Sequence, residues 1–211
     1  MTEETNLVRG EGDEAGDALQ AYLDAQLESS FEQAATIELA GPQDFWNLYA
    51  TGPYQWPSRK PYRVIQLGEY AWLYVIVWLN PNFPDSAPGQ NACDMITGFG
   101  GKIELNFVTS NMQTMSPAPA LNHTYCIQTT EGQCRYRYLW RFRPREAACL
   151  YETNICARIC NCNNKPVKQY SGFVRWVEDL DVEWLFPQRP WGFDRPIRYM
   201  VSDMSDCECP D

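Results

Sequence analysis

Histidine is nearly absent: His123 is the only one in 211 residues. A single imidazole excludes multi-histidine metal centres, and any acid–base scheme built on histidine rests on that one residue. Long apolar runs are missing too. The longest, AWLYVIVWL at 71–79, is about half of what a membrane helix needs, so no membrane span is expected. No glycine-rich phosphate loop, internal repeat or CxxC knuckle occurs. The opening residues, MTEETNLVRGEG, lack the basic start and apolar run of a signal peptide. The expected location is therefore cytoplasmic, with incorporation into a particle or export by another route left open.

Basic residues are scarce at both ends. Residues 1–35 hold nine acids against Arg9, and residues 201–211 hold four acids and no base. The chain carries a net charge of −10, yet the stretch between the ends is close to neutral. Bulk acidity argues against nucleic acid as a partner.

What is present is aromatic and β-patterned, with eight Trp, twelve Tyr and nine Phe available to fill a core. Residues 1–16 read as a disordered acidic lead. Over 17–34, Leu19, Leu23, Leu27 and Phe31 recur every four residues behind an Asp17–Gln20 capping box, which predicts an amphipathic helix. Its stripe either packs on the body or docks on a partner or a second copy. On the docking reading, the 1–35 segment is dispensable for folding.

From Ile37 onward, strand-like runs alternate with Pro-, Gly- and Asn-rich connections. The predicted fold is mainly β, an antiparallel β-sandwich, Ig-like or jelly-roll-like. It has three parts: an acidic tail with the helix (1–35), a sandwich domain (36–187), and an extended proline–aromatic arm (188–211) that lies on the body or on a partner. Residues 125–144 read as two strands around a Glu131-Gly132 turn, bringing Cys126 near Cys134.

The sharpest periodicity is RYRYLWRFRPR. Arg135, Arg137, Arg141 and Arg143 share one face, and Tyr136, Tyr138, Trp140 and Phe142 share the other. The expectation is pairing with the acids Asp179, Asp181 and Glu183 on a neighbouring strand. An anion site is the alternative.

Nine cysteines pose the chemical question. Cys149, Cys156, Cys160 and Cys162 are enough thiolates for one tetrahedral zinc. Free thiols and structural disulfides remain open beside that reading. Four aromatic residues, Trp46, Tyr49, Tyr54 and Trp56, are candidate stacking platforms for a carbohydrate, or else they close one end of the core. No catalytic constellation is visible; His123 and Cys126, three apart, point differently on a strand. The leading reading is a non-enzymatic structural or interaction module within a larger assembly. Its partners, or a second copy, engage the 17–34 helix and the 188–211 arm. A ligand-binding sandwich comes second, and a small Cys- or metal-dependent enzyme third.

Overall fold

The structure is a computed structural model describing residues 11–36, 46–79, 93, 96–97, 101–160, 166–177, 180 and 196–203. Its elements are helix α1 (Glu11–Thr36) and strands β1 (Trp46–Tyr54), β2 (Val64–Gln66), β3 (Ala71–Leu79), β4 (Lys102–Asn111), β5 (Ser116–Pro117), β6 (His123–Gln128), β7 (Arg135–Phe142), β8 (Leu150–Cys160), β9 (Pro166–Phe173), β10 (Arg175–Trp176) and β11 (Ile197–Ser202). Among the described residues they form two sheets. The smaller runs β10-β1-β3-β7. The larger runs β2-β11-β8-β4-β5, with β6 also on β4 and β9 also on β8. Most pairings are antiparallel; β1–β10 and β11–β2 are parallel.

Period-two side-chain placement explains why the two sheets stack. On β3, Ala71, Leu73, Val75, Val77 and Leu79 join one core cluster with Ile103, Leu105 and Phe107 of β4 and Ile155, Ala157 and Ile159 of β8. The intervening residues Trp72, Tyr74 and Ile76 turn the other way and pack with Leu19, Leu23 and Leu27 of α1. The molecule is thus three layers: helix, small sheet, large sheet. β3 is buried along its whole length on both faces because it sits in the middle layer.

The helix begins at Glu11, six residues before the predicted Asp17 cap, so 11–16 are ordered helix and residues 1–10 lie outside the described residues. Gly16 falls where α1 crosses β3; a Cβ there would meet Trp72 Nε1 at 3.0 Å. The apolar stripe is consumed by the chain's own sheet, with Leu19, Leu23 and Leu27 at 0–2 % exposure. Docking a partner through this stripe is therefore corrected to internal packing.

The arginine stripe of β7 meets acids of the helix. Arg135 bonds Glu28 at 2.9 Å, Arg137 reaches Asp24 at 3.3 Å and also pairs with Glu28, and Arg141 pairs with Asp13. All three acids belong to α1. Arg175–Trp176 lie at the opposite edge of the small sheet, three strands from β7. Asp179, Asp181 and Glu183 lie outside the described residues. Guanidiniums already engaged by helix acids do not make a free anion site.

The Glu131-Gly132 turn is present, with Gly132 at φ +76°, but it joins no hairpin. β6 pairs with β4 in the large sheet and β7 with β3 in the small one. The turn is a crossing between layers, so Cys126 and Cys134 do not meet. Cys134 is instead disulfide-bonded to Cys93. The described part of the arm lies against the body: β11 sits between β8 and β2, burying Ile197, Tyr199 and Val201.

Candidate functional site

The three described cysteines of the quartet do not come together. Cys149 lies just before β8, and Cys156 and Cys160 lie within it. A strand advances about 3.3 Å per residue, which puts Cys156 and Cys160 about 13 Å apart and Cys149 about 36 Å from Cys160. Four zinc thiolates at about 2.3 Å from one ion require sulfurs in mutual contact. Faces also disagree: Cys149 is buried in the core cluster, whereas Cys156 sits on the outer face of the sheet. Burial pushes the Cys156 thiol up, which keeps it protonated. Cys162 lies outside the described residues. Among the described residues no group of three or more His, Cys, Asp and Glu could hold a metal.

The proposed stacking rings are dispersed as well. Tyr49 and Tyr54 are 2 % exposed and packed beneath α1. Trp46 is half-buried against the inter-sheet core. Trp56 alone is open, at 48 %. Tyr49 and Tyr54 pack in the cluster beneath α1 and Trp46 against the other cluster.

An aromatic cluster does form elsewhere, where the β6 edge of the large sheet meets the β7 edge of the small one. Tyr125 and Tyr138 stack at 3.8 Å and 11°. His123 lies parallel to Trp140 (3°, 5.9 Å), and its Nε2 is hydrogen-bonded to Tyr138 Oη at 2.6 Å. Phe107 closes the inside against Trp140 at 4.6 Å. Burial lowers the His123 pKa, so the ring is neutral at pH 7. Burial, with Tyr125 beside it, pushes Tyr138 up to about 12. A weakened base beside a strongly retained phenolic proton is poor equipment for proton transfer near neutrality. Cys126 is on the opposite face of β6, across from Glu104 in register, so it does not pair with His123.

The outer face beside β6 is a polar lattice. Thr124 Oγ1 donates to Asn106 Oδ1 at 3.0 Å, Asn106 Nδ2 donates to Glu104 Oε1 at 3.0 Å, and Arg158 Nε donates to the same carboxylate at 2.8 Å. The Asn106 amide and the Arg158 guanidinium hold the Glu104 carboxyl below its ordinary range. Further along the sheet the outer face turns apolar. Val64, Met200 and Leu150 are neighbours in register at 49, 48 and 40 % exposure. Beside them is a groove of about 580 Å³ lined by Met112, Cys149, Leu150, Met200 and Val201.

The β6 edge was missed in the sequence because residues 125–144 were read as one hairpin. The available signal was HTYCIQ itself, a strand with neither charge nor proline.

No protein-family model and no curated protein matches the chain. Among solved structures, it is similar to the CARDB domain of the PF1109 protein from Pyrococcus furiosus in complex with di-metal ions. Identity is 14 %, covering 64 % of this chain and 92 % of that one, with a TM-score of 0.28. The solution NMR structure of the same domain matches at 13 % identity, covering 64 % and 99 %, with a TM-score of 0.26. An alkylpurine DNA glycosylase from Pseudomonas fluorescens, bound to DNA with an abasic-site analogue, matches at 12 %, covering 76 % and 36 %, with a TM-score of 0.26. These overlaps are loose, and neither the metal ions nor the DNA is carried over to this chain.

Proposed function

We propose that this chain is a non-enzymatic β-sandwich interaction module, a component of a larger assembly. The observation that carries the reading is the bare β6 edge. Its backbone ladder is with β4 alone among the described residues, and four of its six residues are exposed. Unpaired amides and carbonyls along such an edge template a further strand. The reading moves the contact surface away from α1, whose stripe is spent internally. It leaves the acidic Cys-x-Cys end of the arm, Cys207 and Cys209, as a secondary contact.

Native mass spectrometry of the intact purified chain tests the reading. A multiple of the 24.3 kDa chain mass, or a stoichiometric complex with a co-purifying chain, is expected. A lone monomer at every concentration, with nothing bound, contradicts it.

A ligand-binding sandwich is the second reading, favoured by Tyr125, which is 40 % exposed and stacked on Tyr138. Such a ring presents a flat face to a sugar or another planar group. Quenching of intrinsic fluorescence on titration with oligosaccharides, lost in Tyr125→Ala, supports it; no quenching removes it.

A further inference from the structure

Edge strands are ordinarily guarded by charges, proline, bulges or a covering segment. Among the described residues β6 has none of these. HTYCIQ contains no charged residue and no proline, and its register with β4 runs unbroken from His123 to Gln128. Its far side presents hydrogen-bonding groups at the spacing of the next strand.

We propose that the occupant of this edge is β6 of a second copy of the same chain, paired antiparallel about a two-fold axis at Cys126. The proposal deepens the interaction-module reading and rests on it. Charge is the first argument. Each copy carries −10, so two copies repel wherever acidic surface meets acidic surface. Contact through β6 brings neutral strand to neutral strand. Of the charges on the neighbouring β4, Glu104 is paired with Arg158, and Lys102 stands at one end of the ladder, opposite Gln128. A charged peptide finds no counter-charge on this strand.

Register is the second argument. A two-fold axis perpendicular to the sheet keeps each face continuous, so residues of equal parity stand opposite one another. Centred on Cys126, Tyr125 meets Ile127 of the second copy, Thr124 meets Gln128, and Cys126 meets itself. Aromatic faces β-branched, polar faces polar, and like charge faces like charge nowhere. The two large sheets become one continuous sheet across the dimer, and both unguarded edges disappear together.

The test combines sedimentation with thiol cross-linking on the full chain. A short bismaleimide, each arm adding one thiol S–H across its double bond, is expected to join the copies at Cys126. The link is located by peptide mass mapping. Cys126→Ser should keep the dimer and lose the link. Cys126→Lys places two ammonium groups opposite each other and should weaken self-association about fivefold or more. Its monomer stays folded because Glu104 stands across from the new lysine; near-UV circular dichroism checks this. The link map on the unmodified chain gives an answer even if that variant does not fold. A dimer whose link maps elsewhere, or that Cys126→Lys leaves intact, overturns the surface but keeps the module reading. A different chain bound along β6 overturns the second copy. A monomer with nothing bound overturns both readings.

Discussion

Replacing Leu27 with alanine removes a side chain that is 0 % exposed, in the cluster with Tyr49, Tyr54, Trp72 and Tyr74. Truncation of a leucine at such a site costs about 2–5 kcal/mol, the spread reflecting how far the surroundings collapse. Leu23, at 2 % exposure one turn earlier, falls in the same range. The two cavities share walls, so the double variant is not strictly additive. A double loss of roughly 4–8 kcal/mol is comparable with the whole stability of a domain, about 5–15 kcal/mol. Glu28→Gln removes the ion pairs to Arg135 and Arg137 instead. Those side chains are 25–42 % exposed, so solvent screens them and the loss is at most about 1 kcal/mol. The comparison decides whether α1 is held by its stripe or by its charges. Urea unfolding followed by near-UV circular dichroism reads each midpoint at a shared slope. Leu27→Ala within about 0.5 kcal/mol of the parent, or a larger loss for Glu28→Gln, refutes the helix–sheet account.

Gly52 has φ +117°, and a Cβ there would come within 2.8 Å of the Trp72 carbonyl oxygen; Gly52→Ala should cost about 2–3 kcal/mol by urea unfolding, and a neutral result contradicts the tight β1–β3 approach. Burial raises the phenols of Tyr74, Tyr138, Tyr151 and Tyr199, with Tyr138 and Tyr199 up to about 12. The folded state therefore holds protons that the unfolded chain releases near pH 10. Stability should be full below about pH 10 and fall as pH rises toward about 12, and urea midpoints flat across that window contradict the burial. Among the described cysteines, thiol alkylation should label exposed Cys126 first and half-buried Cys156 more slowly. Buried Cys149 and Cys160 should react on unfolding, and Cys93 and Cys134 only after reduction; early labelling of Cys160 contradicts the strand placement.

Periodicity was the legible part of this chain. Alternation placed Tyr136, Trp140 and Phe142 on one face of β7 and the arginines on the other. The four-residue spacing of Leu19, Leu23 and Leu27 gave the helix stripe. A period assigns a face, however, and not the element that covers it. The acids opposite the arginines came from α1 rather than from a strand, because edge strand β7 and helix α1 share the outside of the small sheet. A glycine turn between two strands looks the same in sequence whether it closes a hairpin or crosses between layers, and this hid the β6 edge. Cys149, Cys156 and Cys160 looked close because separation along the sequence is not separation in space: an extended strand spends about 3.3 Å on every residue. Tyr49 and Tyr54 looked like platforms because ring exposure depends on α1, and nothing in the local pattern of β1 shows that the preceding helix folds back over it.

Amide exchange of β6 as a function of protein concentration tests the central claim most directly. Exchange at 123–128 reports whether the outer edge of that strand is bonded to another strand or to water. If the chain assembles through this edge, protection rises with concentration at alternate residues of 123–128, those whose amides face away from β4, while β3 and β8, already buried, are unchanged. Exchange at those outward amides that stays fast and independent of concentration, in a sample whose mass shows a dimer or larger species, contradicts the account.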